Sequence, residues 1–169
     1  QVLPILSRMG VEVIDERPHR VCPPDQASVW LHDLGMQTAP ADGDIDVHGL
    51  HAVFEDAFGR IFRGEVESDD FNRLVVAARL PAAEIVVLRA YAKYLRQIGF
   101  ALSQSFIEAT LAANAGIAAD LVALFKARFD PEVPGGGDDE AVARRRAVET
   151  ALEAVDNLSE DRVLRQLLA

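Results

Sequence analysis

The chain has 169 residues, a formal net charge of −10 and hydrophobic side chains at half its positions. That length buries one core, or one core with a satellite, and that composition excludes a chain disordered throughout. The negative balance opposes non-specific binding to nucleic acid or to anionic membranes. No apolar run reaches the roughly 18 residues of a membrane span, because Arg89, Lys93 and Arg96 interrupt the longest candidate. The single cysteine, Cys22, rules out an internal disulfide and fits a reducing, cytoplasmic setting. We expect it to be a small buried apolar residue. With Gln1 in place of Met and a helical pattern starting within two residues, the chain reads as part of something longer.

Val2, Leu3, Leu6 and Met9 fall at helical spacing, with Pro4 in the first turn and Gly10 as the stop. Residues 11–16 (VEVIDE) alternate as a strand that Pro18 is expected to end, and residues 27–37 alternate as a second strand. Leu50, Val53, Phe54, Ala57, Phe58, Ile61 and Phe62 then make a wide apolar stripe on a helix over 46–63. Asp46 is its expected cap and Gly64 its stop. Helix, strand, strand, helix is half of a ferredoxin-like βαββαβ unit.

The stretch 80–131 organises the chain with three helical patterns in succession. Asp69 is expected to cap a short helix before it, bearing Phe71, Leu74, Val75 and Ala78. Pro81 opens the next helix, to about Ile98, with Ile85, Leu88, Ala92, Leu95 and Gly99 inward. Ser105 and Glu108 have capping-box spacing for a second helix. Ile117, Leu121, Leu124, Phe125 and Phe129 share the inner face of a third. Short breaks fold such helices back on one another, and each large apolar side chain buried contributes roughly 1.5–3 kcal/mol. Residues 131–139 read as a linker, and a helix follows over 140–155. A last helix, capped by Asn157 or Ser159, presents Val163, Leu164, Leu167 and Leu168 as a surface for a partner. The expected class is α+β, mostly helical. Its divisions are a partial ferredoxin-like unit (1–67), a helical motif (68–131), a linker (132–139) and a second helical motif (140–169).

Gly135, Gly136 and Gly137 lack both phosphate-loop spacings and read as linker. His48 and His51 share a helix face with Glu55 in reach, but a metal needs more ligands than that, and a solvated face is the simpler reading. Nor do His19 and His32, on the strand pair, find ligands enough. Arg89, Lys93 and Arg96, at i, i+4 and i+7, form a basic stripe on the outer face of the central helix. It is either solvated and locally paired or a dock for an acidic surface of another domain. No catalytic, cofactor or metal residues emerge, and the candidate contact residues are Arg89, Lys93, Arg96, Val163, Leu164, Leu167 and Leu168.

Several runs resemble the large-subunit bacterial NAD-specific glutamate dehydrogenases. They are Leu88–Gln97 (LRAYAKYLRQ), Gly64 and Glu65 with Glu67 to Asp69, Phe71 to Leu74, and Leu124 and Phe125 with Arg128 to Pro131. Leu3 to Leu6, Gly10 and Val13 to Pro18 resemble the family's third ACT-like segment. Leu158 with Asp161 to Arg165 resembles the region just ahead of its catalytic domain. The resemblance implies an ACT-like hairpin with helices, then an α-helical bundle. It implies a regulatory and assembly role beside other domains of the same chain and neighbouring subunits in a homo-oligomer. NAD and the catalytic residues would belong to the parent enzyme, with no cofactor in this stretch. The rival reading is a stand-alone helical adaptor.

Overall fold

The computed structural model describes residues 2–38, 47–131 and 137–169. The expected cap Asp46, the breaker-rich loop before it, most of the linker and the side chain of His48 lie outside them. Helix α1 (Val2–Arg8) leads into an antiparallel hairpin of β1 (Val11–Val21) and β2 (Val29–Thr38), and α2 (Val47–Phe62) follows. After a 3-10 turn (Asp70–Arg73) come α3 (Leu74–Ala77), α4 (Ala82–Gln97), α5 (Gln104–Ala113), α6 (Ala115–Phe129), α7 (Gly137–Leu152) and α8 (Leu158–Leu168). The α+β, mostly helical class is the observed one.

β1 runs five residues past the expected 16 and carries Pro18 inside it, opposite His32. Among the described residues the sheet has two strands, so β1 is an edge, and an edge strand tolerates a residue without an N–H. The register shifts between Val13 and Asp15, so a bulge at Ile14 ends the expected alternation of Val11, Val13 and Asp15. Near its root the hairpin meets the helices, where Leu34 and Met36 line a pocket with Leu6, Phe54 and Phe58. Farther out it is bare: Val29, Trp30 and Leu31 are each more than half exposed, as is Ile14 at the bulge nearer the root. Cys22 lies at the hairpin tip and is exposed, against the buried place expected of it. A two-stranded tip has no second layer to bury it.

The helices share one apolar cluster that runs from Met9 and Ala57 through Phe71, Leu74, Ile85, Leu88 and Ile107 to Val148, Leu152, Val163 and Leu164. Residues 140–169 therefore pack into the same core as 68–131. Helical spacing selected that core well on α4, where Ile85, Leu88, Ala92 and Leu95 are all buried. It failed at Leu3, Phe62 and Phe129, which are 52%, 58% and 60% exposed, and at Gly99, which was expected inward and lies exposed beyond the end of α4. Gly64 and Gly99 terminate α2 and α4 with φ of +73° and +82°. Each stop pairs an i to i−3 bond (Gly64 N–H to Ile61 O, 3.0 Å; Gly99 N–H to Arg96 O, 3.1 Å) with an i to i−5 bond (Glu65 to Arg60, 2.9 Å; Phe100 to Leu95, 2.9 Å). Pro81 stands at the N-cap of α4, one place before the first helical position. Among the described residues no single helix is long and apolar enough to cross a membrane. α5 and α6 pass that test only as a pair bent by 100°, and both carry core residues.

Candidate functional site: a buried arginine cluster

The densest polar constellation among the described residues joins the 65–73 turn to α4 and α5. Arg89 lies on α4 between Leu88 and Ala92, and it is only 4% exposed. This corrects its expected place on the outer face. Its guanidinium grips Asp69 with both edges of the fork, Nε to Oδ2 at 2.6 Å and Nη2 to Oδ1 at 2.8 Å. Nη2 also donates to Asn72 Oδ1 at 3.1 Å, and Nε lies 3.3 Å from Glu67 Oε2. The guanidinium carbon stands 5.6 Å from the centre of the Phe71 ring. Asn72, itself buried, donates from Nδ2 to the Glu67 carbonyl at 2.9 Å. A planar fork with five donors suits such a bidentate grip.

The expected N-cap of Asp69 gives way to this pair. Asp69 sits at the cap position, but its side chain accepts no backbone N–H and turns to Arg89 instead. Lys93, one turn on and half exposed, donates to Glu67 Oε1 at 2.7 Å. That bond, with the nearby charges of Lys93 and Arg89, holds the Glu67 carboxyl below its ordinary value. Two cations and two carboxylates thus balance. Arg96 lies outside the cluster and donates to Gln104 Oε1 at 3.0 Å.

Gln104 in turn donates to Glu108 Oε1 at 2.8 Å. Glu108 is 7% exposed, and burial first, with the neighbouring charges of Asp69 and Asp70, pushes its carboxyl above the ordinary value. Its inward turn explains why the expected capping box fails. Ser103 caps α5 instead, accepting from the Phe106 N–H at 3.2 Å. Three helices on, Asn157 caps α8 by accepting from the Ser159 and Glu160 N–H groups.

The cluster neutralises charge and fixes geometry. It joins backbone that is far apart in sequence and places no nucleophile beside a base. A cleft of about 250 Å³ opens beside Glu67, Arg89 and Lys93, and a broader one of about 720 Å³ lies between α1, the hairpin root and Arg73. Among the described residues no three His, Cys, Asp or Glu side chains stand close enough to hold a metal ion. His51 is exposed and 3.7 Å from Glu55; His32 pairs with Glu16 at 2.6 Å across the hairpin.

The apolar stripe of α8 points inward. Val163 and Leu164 are fully buried, Leu167 and Leu168 nearly so, in the core shared with α5, α6 and α7. This corrects the expectation that they form a free partner surface. Sequence reasoning missed the Asp69–Arg89–Asn72 grip. The signal was present only as two acids, Glu67 and Asp69, some twenty residues upstream of a core-flanking arginine.

Residues 1–50 match the family model described as glutamate dehydrogenase, ACT3 domain, and residues 66–131 match glutamate dehydrogenase, helical motif 3. The chain is similar to the NAD-specific glutamate dehydrogenase of Halomonas elongata, 41% identical over 168 residues, covering 99% of this chain and 10% of that protein. It is 38% identical over 170 residues to the same-named protein of Pseudomonas aeruginosa, again 99% of this chain and 10% of the relative. With that of Mycobacterium tuberculosis the identity is 42% over 171 residues, 98% of this chain and 10% of the relative. The chain belongs to the bacterial NAD-specific glutamate dehydrogenase family and spans about a tenth of the length of the relatives it matches.

Proposed function

We propose that this chain is a non-catalytic regulatory and assembly segment of an NAD-dependent glutamate dehydrogenase. The whole enzyme would oxidise L-glutamate with NAD and water to 2-oxoglutarate, ammonia and NADH, in the cytoplasm. The observation that carries the reading is similarity at 38–42% identity along nearly all of this chain to proteins about ten times longer. Glutamate and NAD would be handled by the rest of the enzyme. The contribution of this stretch would be packing against other domains of its chain and neighbouring subunits of a homo-oligomer. The bare outer hairpin supports that reading, because an apolar edge exposed on both faces is a liability for a free protein.

The rival reading, a stand-alone adaptor binding through α8, loses the surface it needs, since Val163, Leu164, Leu167 and Leu168 are buried in the chain's own core. The test is to capture the native protein from lysate with an antibody against this segment, size it, and assay it for glutamate-dependent NADH formation. We expect a chain far larger than 18.4 kDa with that activity. A protein near 18.4 kDa without it refutes the proposal.

A further inference from the structure

We infer that the outward face of α4 packs antiparallel against the same face of a second copy of this chain. This deepens the assembly role proposed above and rests on it. Ala83, Val86, Val87 and Ala90 occupy the N-terminal half of that face, and Tyr91, Tyr94, Gln97 and the C-cap Ile98 its C-terminal half. At about 100° per residue these positions share roughly 140° of helix surface. Tyr94 and Ile98 are more than half exposed, Val86 and Tyr91 more than a third. None of these residues is charged, in a chain where 26% of residues are. The charges at the two edges are already paired within the chain, Lys93 with Glu67 and Glu84 with Lys126, each at 2.7 Å. The opposite side of α4 lies in the core, so the helix is apolar nearly all round, the pattern of one covered on both sides. Tyr91 meets Phe125 edge to face and Phe125 meets Phe129, which carries the bare surface onto α6.

The face itself identifies its occupant. Its N-terminal half carries small side chains and its C-terminal half large ones. A second α4 laid antiparallel across it sets Ala90 level with Tyr91 of the other copy, Val87 with Tyr94 and Ala83 with Ile98. Each large side chain then meets a smaller one, and the two-fold axis repeats every contact. A parallel pair would instead set Tyr94 against Tyr94 and Ala90 against Ala90. Charge agrees, because a face without charge, bordered by charges already paired, is best met by another of the same kind. Covering it on both copies, with the ring of Phe129, removes roughly 1,300 Å² of surface, within the about 1,200–2,000 Å² of a stable interface. Tyrosine suits the seam, since its ring is buried while its hydroxyl reaches water or a polar group at the rim.

The test is cysteine cross-linking in the full-length enzyme with a short bismaleimide, the linked peptides being mapped by mass spectrometry. Ala90 would lie beside the two-fold axis, so Ala90→Cys should link to itself, a product that only two copies can form. In the double variant Ala83→Cys/Ile98→Cys the two positions stand roughly 22 Å apart along one helix, at about 1.5 Å per residue, beyond the reach of the linker. A link between them therefore joins two copies and reports the antiparallel direction; self-links of either position overturn that direction. A link from position 90 to another part of the enzyme, or no link, overturns the contact itself. Tyr94→Glu in the Ala90→Cys background places a carboxylate opposite Val87 and should cut the yield of the self-link several-fold; an unchanged yield overturns the proposal too. Because Ala83, Ala90, Tyr94 and Ile98 are exposed, these substitutions leave the core intact. Chain mass and glutamate-dependent NADH formation are recorded on the same sample. A full-length, active enzyme without the self-link defeats the contact alone, whereas a chain near 18.4 kDa without activity defeats the functional reading and the contact with it.

Discussion

Removing Asp69 tests whether Arg89 is held as the structure shows. Asp69→Ala deletes two charge-assisted bonds of 2.6 and 2.8 Å from a guanidinium that is 4% exposed. Breaking a buried pair at one end costs about 3–5 kcal/mol, because the remaining charge stays desolvated. Glu67 at 3.3 Å and Asn72 at 3.1 Å still face the guanidinium, so the expected loss lies at the lower end, about 3 kcal/mol. For a chain of this length that lowers Tm by about 6–12 °C. Arg89→Met in the same background removes the stranded charge and keeps an unbranched apolar side chain over Phe71. The double variant should therefore recover most of the loss, as replacements of buried ion pairs by apolar groups do. Lys93→Ala, at a half-exposed pair, should cost ~1 kcal/mol or less. Equilibrium urea unfolding followed by far-UV circular dichroism gives all four values. An Asp69→Ala loss below about 1 kcal/mol, or a double variant no better than the single one, refutes the buried grip.

Glu108 makes the opposite kind of prediction. Its folded-state carboxyl is raised above 4.5 by burial, so its stabilising neutral form is fully present below that pH and is lost as pH rises through the folded value. Glu108→Gln should match the parent near pH 4 and be the more stable of the two at pH 7, read as the urea midpoint at each pH; a pH-independent difference refutes this. Leu164→Ala should cost about 2–5 kcal/mol by cavity formation, since Leu164 is fully buried. Loss of under 1 kcal/mol would mean that α8 is not docked. Cys22 should react with Ellman's reagent under native conditions at a rate near that of a small thiol, because it stands exposed at the hairpin tip.

Local spacing made the helices legible and left their partners dark. The inner face of α4 was readable because Ile85, Leu88, Ala92 and Leu95 repeat at the helical period. Arg89 was misplaced because spacing relative to Lys93 and Arg96 defines a stripe but says nothing of what folds over it. Its partners lie 17 to 22 residues upstream, beyond any helical window. The same limit applied to α8. Its amphipathic pattern announced that Val163, Leu164, Leu167 and Leu168 would be covered, and only the tertiary structure shows that this chain's own core covers them. Pro18 misled for another reason. Its effect on a strand depends on whether the strand has a neighbour on both sides, which a single strand pattern does not reveal.

The position of the Arg89 grip says what it holds together. The hairpin is rooted through α1, whose buried Leu6 lies beside Leu34 and Met36, and through Met9 just after it, buried in the helical core. Arg8, at the end of α1, donates to the carbonyl of Ser68. Ser68 precedes Asp69, and Asp69 is fixed to α4 by the guanidinium fork. The ACT3 part and the helical motif are thus joined through one short turn, in which backbone contact on one side and a buried ion pair on the other leave little slack. Apolar packing alone would hold α1 near the helical body but would tolerate small shifts in angle. The paired hydrogen bonds of a carboxylate and a guanidinium admit one relative orientation. Directional bonding is therefore best placed at this junction, where an error of a few degrees at α1 is multiplied along the eleven residues of β1. If the hairpin meets other parts of the enzyme at its far end, Asp69→Ala should disturb those contacts beyond its effect on the stability of the core. Quenching of Trp30 fluorescence by acrylamide in the full-length protein measures this. The variant should show greater accessibility than the parent while the circular dichroism of the folded state is unchanged, and equal quenching would assign the grip to local stability alone.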